Sequence, residues 1–234
     1  MATSPALKLK PAIKPATNGS PVAAGLLKER AYTELRAKIL RNDFSPGTFL
    51  AERQLAAQLG MSKTPVKAAL ERLAQEGLIN VSPQQGIVVR DLTFEEIADL
   101  YQIRHALEGF VLRSVAGGLT QAQVRQLEDN LEHQAANETE SDCLKAAELD
   151  ARFHLLFSEF LANQEIVRVM GQLIDKMHRV ITRVFRAHPS RAQSSLAEHR
   201  ELARAVIEGD KDKAGTLIEK HLERGRRLIL DPRR

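Results

Sequence analysis

The chain has 234 residues, of which 43% are hydrophobic and 27% are charged, and its net charge is +4. These proportions are ordinary for a soluble globular protein and allow one large domain or two modest ones. No apolar run approaches the roughly 18 residues that a membrane span needs, and the single cysteine excludes an internal disulfide. We therefore expect a cytoplasmic protein that does not associate with a membrane.

The first 25 residues contain three lysines, no acidic residue and many prolines and alanines. This composition has no core-forming pattern and predicts a disordered tail over residues 1–25. An acid-poor N-terminus also occurs in transit peptides, but this one lacks arginine and its prolines interrupt any amphipathic helix. Contact of the tail with DNA phosphates is a further alternative.

Residues 26–92 are predicted to form three helices and a β-hairpin. LLKERAYTELRAKILRN has helical apolar spacing, DFSPGTFL is typical of a turn, and AERQLAAQLG predicts a short helix that ends at Gly60. The next helix follows Ser62 as N-cap, carries Pro65 in its first turn and ends at Gly77. The segment LINVSPQQGIVVR then places two β-branched runs around SPQQG, which predicts a hairpin.

The remainder of the chain, residues 93–234, shows helical patterns separated by glycine, asparagine and proline stops. We predict six helices there, at 93–116, 120–137, 141–161, 164–187, 191–208 and 211–230. The predicted fold class is therefore mainly α, with an N-terminal winged helix-turn-helix and a C-terminal all-helical bundle.

The helix that follows Ser62 has the properties of a DNA recognition helix. In a winged helix-turn-helix the N-terminal residues of this helix reach base edges in the major groove, and its free N–H groups also meet phosphate. SKTPVK supplies hydroxyls and lysines at that position. Residues 26–92 carry ten Lys/Arg against seven Asp/Glu, whereas residues 93–234 carry 21 against 23, so the positive excess lies where a polyanion would bind. SKTPVK alone also fits a capped helix start with solvated lysines.

The segment LAERQLAAQLGMSKTPVKAALERLAQEGLI, followed by QQGIVV, resembles the GntR family of regulators. The resemblance implies DNA contacts by Arg53, Ser62, Lys63, Thr64 and Lys67, and by Gln85 and Gly86 at the wing tip. The family commonly has arginine at the positions of Lys63 and Lys67. Arginine forms bidentate contacts with guanine and lysine does not, so the departure puts base specificity at these two positions in doubt.

Four polar residues fall on the apolar stripes of three predicted helices: Asp150 and His154 on 141–161, His199 on 191–208, and His221 on 211–230. Burial of three imidazoles and a carboxylate without partners is costly. A shared metal ion would satisfy all four from facing helices. A single inward histidine is more often a hydrogen-bonded core residue, and an Asp–His pair at i, i+4 can satisfy itself, so both interpretations stay open.

The patterns LDARFHLLFSEFLANQEI, EHRELARAVIEGDKDKA and KHLERG resemble the FCD domain, the helical effector domain of the FadR branch of GntR regulators. The resemblance implies that Asp150, His154, His199 and His221 hold a divalent metal, zinc in the first place, with nickel, manganese or iron as alternatives. It also implies that Arg104, in IRHALE, faces the ligand cavity, where arginine would bind a carboxylate effector. The alternative for Arg104 is an internal pair with Glu108.

These features predict a transcriptional regulator rather than an enzyme. It would bind a metal and a small carboxylate effector in its helical domain, and the effector would modulate operator binding. A homodimer is expected, because two recognition helices read the half-sites of a near-palindromic double-stranded operator. One alternative is a helical metalloenzyme acting on a small organic acid. Another is a regulator whose polar cluster binds anions without metal.

Overall fold

The computed structural model describes residues 21–82, 86–137 and 142–230. Its N-terminal elements are α1 Pro21–Leu40, β1 Phe49–Leu50, α2 Glu52–Leu59, α3 Lys63–Gln75, β2 Ile79–Ser82 and β3 Gly86–Val89. The predicted disordered tail lies outside the described residues up to position 20. Its predicted end at residue 25 is wrong, because α1 begins at Pro21. Proline suits the first turn of a helix and the alanines that follow favour helix.

The three N-terminal helices and a small sheet share one hydrophobic cluster, which includes Leu35, Leu70 and Ile79. The strands pair antiparallel in the order β1-β3-β2, with Phe49 opposite Val88. The hairpin of β2 and β3 confirms the predicted wing. The segment predicted as a turn, DFSPGTFL, instead ends in the short strand β1, because residues 49–50 find backbone partners in β3.

The C-terminal part consists of α4 Phe94–Val115, α5 Gln121–Ala136, α6 Cys143–Leu161, α7 Gln164–Ala187, α8 Ser190–Glu208 and α9 Lys211–Leu230. These bounds lie within two residues of the predicted ones, and the predicted fold class is confirmed. Thr93 and Thr120 each form a capping box at a helix start, which satisfies two N–H groups locally. Since such signals are local, the sequence alone places these helix ends.

The helical bundle packs around a second hydrophobic cluster, which includes Tyr101, Phe153 and Met177. Within it α4 packs mainly against α9, and α6 against α7. Gly117 and Gly209 both have positive φ, and a Cβ on either would lie 3.2 Å from the other's Cα. Only glycine permits this approach, which brings the α4–α5 and α8–α9 turns together.

The helical bundle meets the N-terminal domain along α7. Arg183 contacts Asp91 with Nη2–Oδ1 at 2.9 Å, Arg179 donates to the carbonyl of Arg90, and Arg36 of α1 pairs with Asp175. Helix α7 therefore contacts both the linker after β3 and helix α1. No helix in the described part of the chain is long and apolar enough to cross a membrane.

Candidate metal centre and DNA-binding surface

The four predicted metal ligands converge in the middle of the helical bundle. Asp150 and His154 lie one turn apart on α6, while α8 supplies His199 and α9 supplies His221. One potential ligand atom from each residue lies within 4.8 Å of those of the other three, and all four residues are buried. The three imidazole centroids are 4.8 to 5.1 Å apart. Helical periodicity placed each residue on an inward stripe, and the packing of α6, α8 and α9 brings them together.

Each histidine is oriented by a hydrogen bond at Nδ1. These bonds join His154 to Glu108 Oε2 at 2.7 Å, His199 to Gln134 Oε1 at 2.9 Å, and His221 to Glu198 Oε2 at 2.7 Å. A carboxylate or amide oxygen accepts a hydrogen bond, so each Nδ1–H donates, and in the neutral imidazole Nε2 keeps its lone pair. Metal-binding histidines are held in this way by an outer acceptor.

The Asp150–His154 pair does not satisfy itself. Asp150 Oδ2 lies 3.9 Å from His154 Nε2, beyond hydrogen-bonding distance. Asp150 instead accepts a 2.9 Å bond from the Ser195 hydroxyl, and the buried Nε2 of His154 has no hydrogen-bond partner in the described part of the chain. A buried nitrogen without a partner is costly unless a ligand meets it. This donor set therefore fits a metal ion.

Two chains of charged groups surround the centre. Arg104 Nε donates to Glu108 Oε1 at 2.6 Å, so the predicted internal pair is present. In the same way Arg191 makes two bonds to Glu198, of 3.0 and 2.9 Å. Each glutamate therefore links an arginine to a metal-site histidine. Neither glutamate is free, because each is bonded to an arginine and to a histidine.

These contacts set the protonation of the site. Burial alone would raise the pKa of Glu108, but Arg104 and His154 outweigh it and hold that pKa well below its usual range. The pKa of Glu198 is lowered to about 2, since its bonds to His221 and Arg191 outweigh burial. Burial lowers the pKa of His221 to about 4 and that of His199 well below its ordinary value. At neutral pH these two imidazoles are thus neutral and able to bind metal.

The space beside the centre is small in this conformation. Arg104, Arg191, Asp150 and His221 line a cavity of about 20 Å³. That volume holds about one water molecule. Arg104 lines this cavity, which in this conformation is too small to hold an organic acid.

The predicted DNA contacts lie on the surface of the N-terminal domain. Arg53, Ser62, Lys63, Thr64, Lys67 and Gly86 are all exposed. Ser62 has the extended backbone of an N-cap, although its side chain makes no capping hydrogen bond, so its hydroxyl is available to DNA. The Lys67 ammonium lies 4.0 Å from Glu71, a loose exposed pair that competes little with phosphate. Gln85 lies outside the described residues.

Sequence reasoning missed most of the residues that hold the ligands in place. Glu108 appeared only as the alternative partner of Arg104, and four other residues were not identified: Gln134, Arg191, Ser195 and Glu198. Two of these positions could have been predicted from their helical spacing relative to His199. Ser195 and Glu198 lie within one turn of His199, near the helix face that turns inward.

Two family models match this chain. The FCD domain model matches residues 99–224, and the model described as bacterial regulatory proteins, gntR family, matches residues 27–89. The chain belongs to the GntR family. As a GntR regulator with an FCD domain, it is a DNA-binding transcriptional regulator, and the buried histidine and aspartate group of its FCD domain can hold a metal ion.

Several transcriptional regulators match this GntR regulator over most of their length. A regulator from an unstable DNA locus of Streptomyces ambofaciens is 32% identical over 82% of this chain and 80% of its own. The repressor RspR of Escherichia coli K12 is 29% identical over 84% and 86%. The solved structure of E. coli McbR/YncC shares the fold, with a TM-score of 0.78, 21% identity, and coverage of 89% of this chain and 99% of its own.

Proposed function

We propose that this GntR regulator binds a divalent metal through Asp150, His154, His199 and His221, and that a small carboxylate effector at this centre modulates operator binding. The observation that carries the proposal is the orientation of the three imidazoles. Each Nδ1 is held by an outer acceptor, so the three Nε2 lone pairs and the Asp150 carboxylate are available to one ion.

The donor set indicates which metals to expect. Three imidazoles and one carboxylate suit zinc first, with nickel, manganese and iron as alternatives. A five- or six-coordinate ion held by four protein ligands retains positions for a carboxylate, and the Arg104 and Arg191 guanidinium groups beside the cavity favour an anion there. A bound metal would supply positive charge to a ligand, and the two arginines would favour a planar carboxylate.

Effector entry is expected to change the packing around the centre. A cavity of about 20 Å³ cannot admit an acid of several carbon atoms, so side chains that line it have to move, and we propose that these are Ile181, Val184 and Phe185 of α7. Because α7 also carries Arg179 and Arg183, which contact Arg90 and Asp91, this movement couples the centre to the DNA-binding domain.

The regulator is proposed to act as a homodimer on a near-palindromic operator. One DNA-binding domain presents a single recognition helix, α3, and two half-sites require two of them. Ile103 and Phe110 are 42% and 55% exposed and lie two turns apart on α4, where they supply an apolar surface for a second subunit.

Elemental analysis of the purified protein tests the metal. We expect about one divalent ion per chain in the wild type and none in His154→Ala, with non-specific DNA binding retained by both. His133→Ala removes an exposed histidine outside the centre and should keep its metal. A full complement of metal in His154→Ala would contradict the proposed site.

A thermal-shift screen of small carboxylates tests the effector. An acid that binds the folded state raises the melting temperature, and this rise should disappear in chelator-treated protein. A rise that is unaffected by chelator would place the effector away from the metal. An electrophoretic mobility-shift assay with the operator then shows whether the acid promotes or releases DNA binding.

A further inference from the structure

A second cavity, the hinge cavity, lies beside the linker that joins the DNA-binding domain to the helical bundle. It has a volume of about 490 Å³ and is bounded by the linker residues 91–94, the C-terminal part of α7 and the end of α9. Its volume is within the roughly 300 to 1,000 Å³ typical of small-molecule sites. The side chains of Val184 and Ile229 line both this cavity and the small one beside the metal centre, and so form the wall between them.

The lining of the hinge cavity is largely aliphatic, with charged groups at the edge. Six branched aliphatic side chains contribute to it: Leu92, Ile97, Val180, Val184, Leu228 and Ile229. Arg183 and His188 lie beside them. Phe94, at the start of α4, is 68% exposed and gives the cavity an aromatic border. An apolar enclosure with a few polar groups is typical of a site for a small amphipathic molecule.

The local charge indicates the polar end of that molecule. Residues 177–191 include four arginines and neither aspartate nor glutamate. In the cavity itself, Arg183 makes two contacts with Asp91, of 2.9 and 3.4 Å, and the Arg183 side chain is 58% exposed. An exposed ion pair of this kind contributes little, so an incoming carboxylate can replace Asp91 as the partner of Arg183.

We propose that the hinge cavity binds a small organic anion with an apolar body of about six to ten carbon atoms, whose carboxylate pairs with Arg183. This site is separate from the metal centre and does not require the metal. Occupation releases Asp91, which follows Arg90 at the contact between α7 and the linker. The ligand therefore acts on the segment that joins the two domains, without passing through the metal centre.

Calorimetry with 4-phenylbutyrate, and with its neutral amide as a matched probe, tests the proposal. Arg183→Gln should weaken binding of the acid about fivefold and leave binding of the amide unchanged. Ala187→Phe fills the cavity from an exposed position that does not line the metal cavity, and it should abolish binding of both probes. Arg186→Gln removes a neighbouring exposed arginine that does not line the cavity and should bind both probes like the wild type.

Hydrogen–deuterium exchange and chelation complete the test. The acid should slow exchange in residues 91–97 and 180–188, and its affinity should be the same in metal-free protein and in His154→Ala. Absence of binding at millimolar concentration, equal affinity in Arg183→Gln and wild type, or loss of binding on metal removal would each overturn the hinge site. The last result would place the acid in the metal cavity and leave the proposed function intact. If Ala187→Phe does not fold, the comparison of Arg183→Gln with Arg186→Gln and the exchange pattern still test the hinge site.

Discussion

Glu108→Gln removes one charge from the buried chain that links Arg104 to His154. Both members of the Arg104–Glu108 pair are almost completely buried, with 4% and 3% of their side chains exposed. Glutamine has nearly the same shape, but its NH₂ group would face either the Arg104 Nε–H or the His154 Nδ1–H, so one donor would meet another. Loss of one partner from a buried ion pair costs about 3–5 kcal/mol. We expect the free energy of unfolding of metal-free protein to fall by that amount.

The same substitution should weaken metal binding. Loss of the outer acceptor of a metal-binding histidine costs about 10- to 100-fold in affinity. Urea unfolding of chelator-treated, metal-free protein measures the free energy of unfolding, and competition with a chromophoric chelator measures the metal affinity. Glu148→Gln is the matched control, because Glu148 is exposed and forms an ion pair with Lys145 on the same helix, and its loss should cost less than about 1 kcal/mol.

A double variant tests whether the unpaired Arg104 cation causes the loss of stability. Arg104→Met combined with Glu108→Gln leaves no unpaired buried cation, so it should be more stable than Glu108→Gln alone. An unfolding free energy of Glu108→Gln within about 0.5 kcal/mol of the wild type, or an unchanged metal affinity, would contradict a buried, coupled Arg104–Glu108–His154 chain. Either result would mean that water reaches the pair and screens it.

Three further predictions address the DNA surface, the pH response and the aspartate ligand. Lys67→Ala should weaken binding to all DNA sequences and lower the slope of affinity against salt by about one; an unchanged slope in a salt titration would exclude a phosphate contact. Burial lowers the pKa of His199 well below its ordinary value and that of His221 to about 4, whereas the unfolded chain protonates histidine below about pH 6.5. Metal-free protein should therefore lose stability between about pH 6.5 and 4, by about 3 kcal/mol from His221 alone, and equal stability at the two ends in urea titrations would contradict neutral burial. Ser195→Ala removes the bond that orients Asp150 and should lower metal affinity about tenfold. Ser114→Ala alters an exposed serine on α4 whose hydroxyl donates to the carbonyl of Phe110, and it should leave the affinity unchanged in the same competition assay.

In the DNA-binding domain, local sequence patterns are sufficient to predict the helix ends. Gly60 takes a left-handed conformation at the end of α2, and Pro65 lies in the first turn of α3, as the sequence predicts. Strand β1 was missed, because residues 49–50 pair with β3 almost forty residues later. A two-residue strand has no periodicity of its own, so only the partner strand defines it.

The sequence alone determined that Asp150, His154, His199 and His221 point inward, because helical periodicity depends only on neighbours in the chain. It left open whether they satisfy one another or wait for a ligand. That choice was made by tertiary structure, since Glu108, Gln134 and Glu198 reach the three Nδ1 atoms across 46, 65 and 23 residues of sequence. With Nδ1 engaged, each Nε2 lone pair is left for the centre. The packing of the helices, and not their order in the chain, brings these four polar residues into a group that can hold a metal ion.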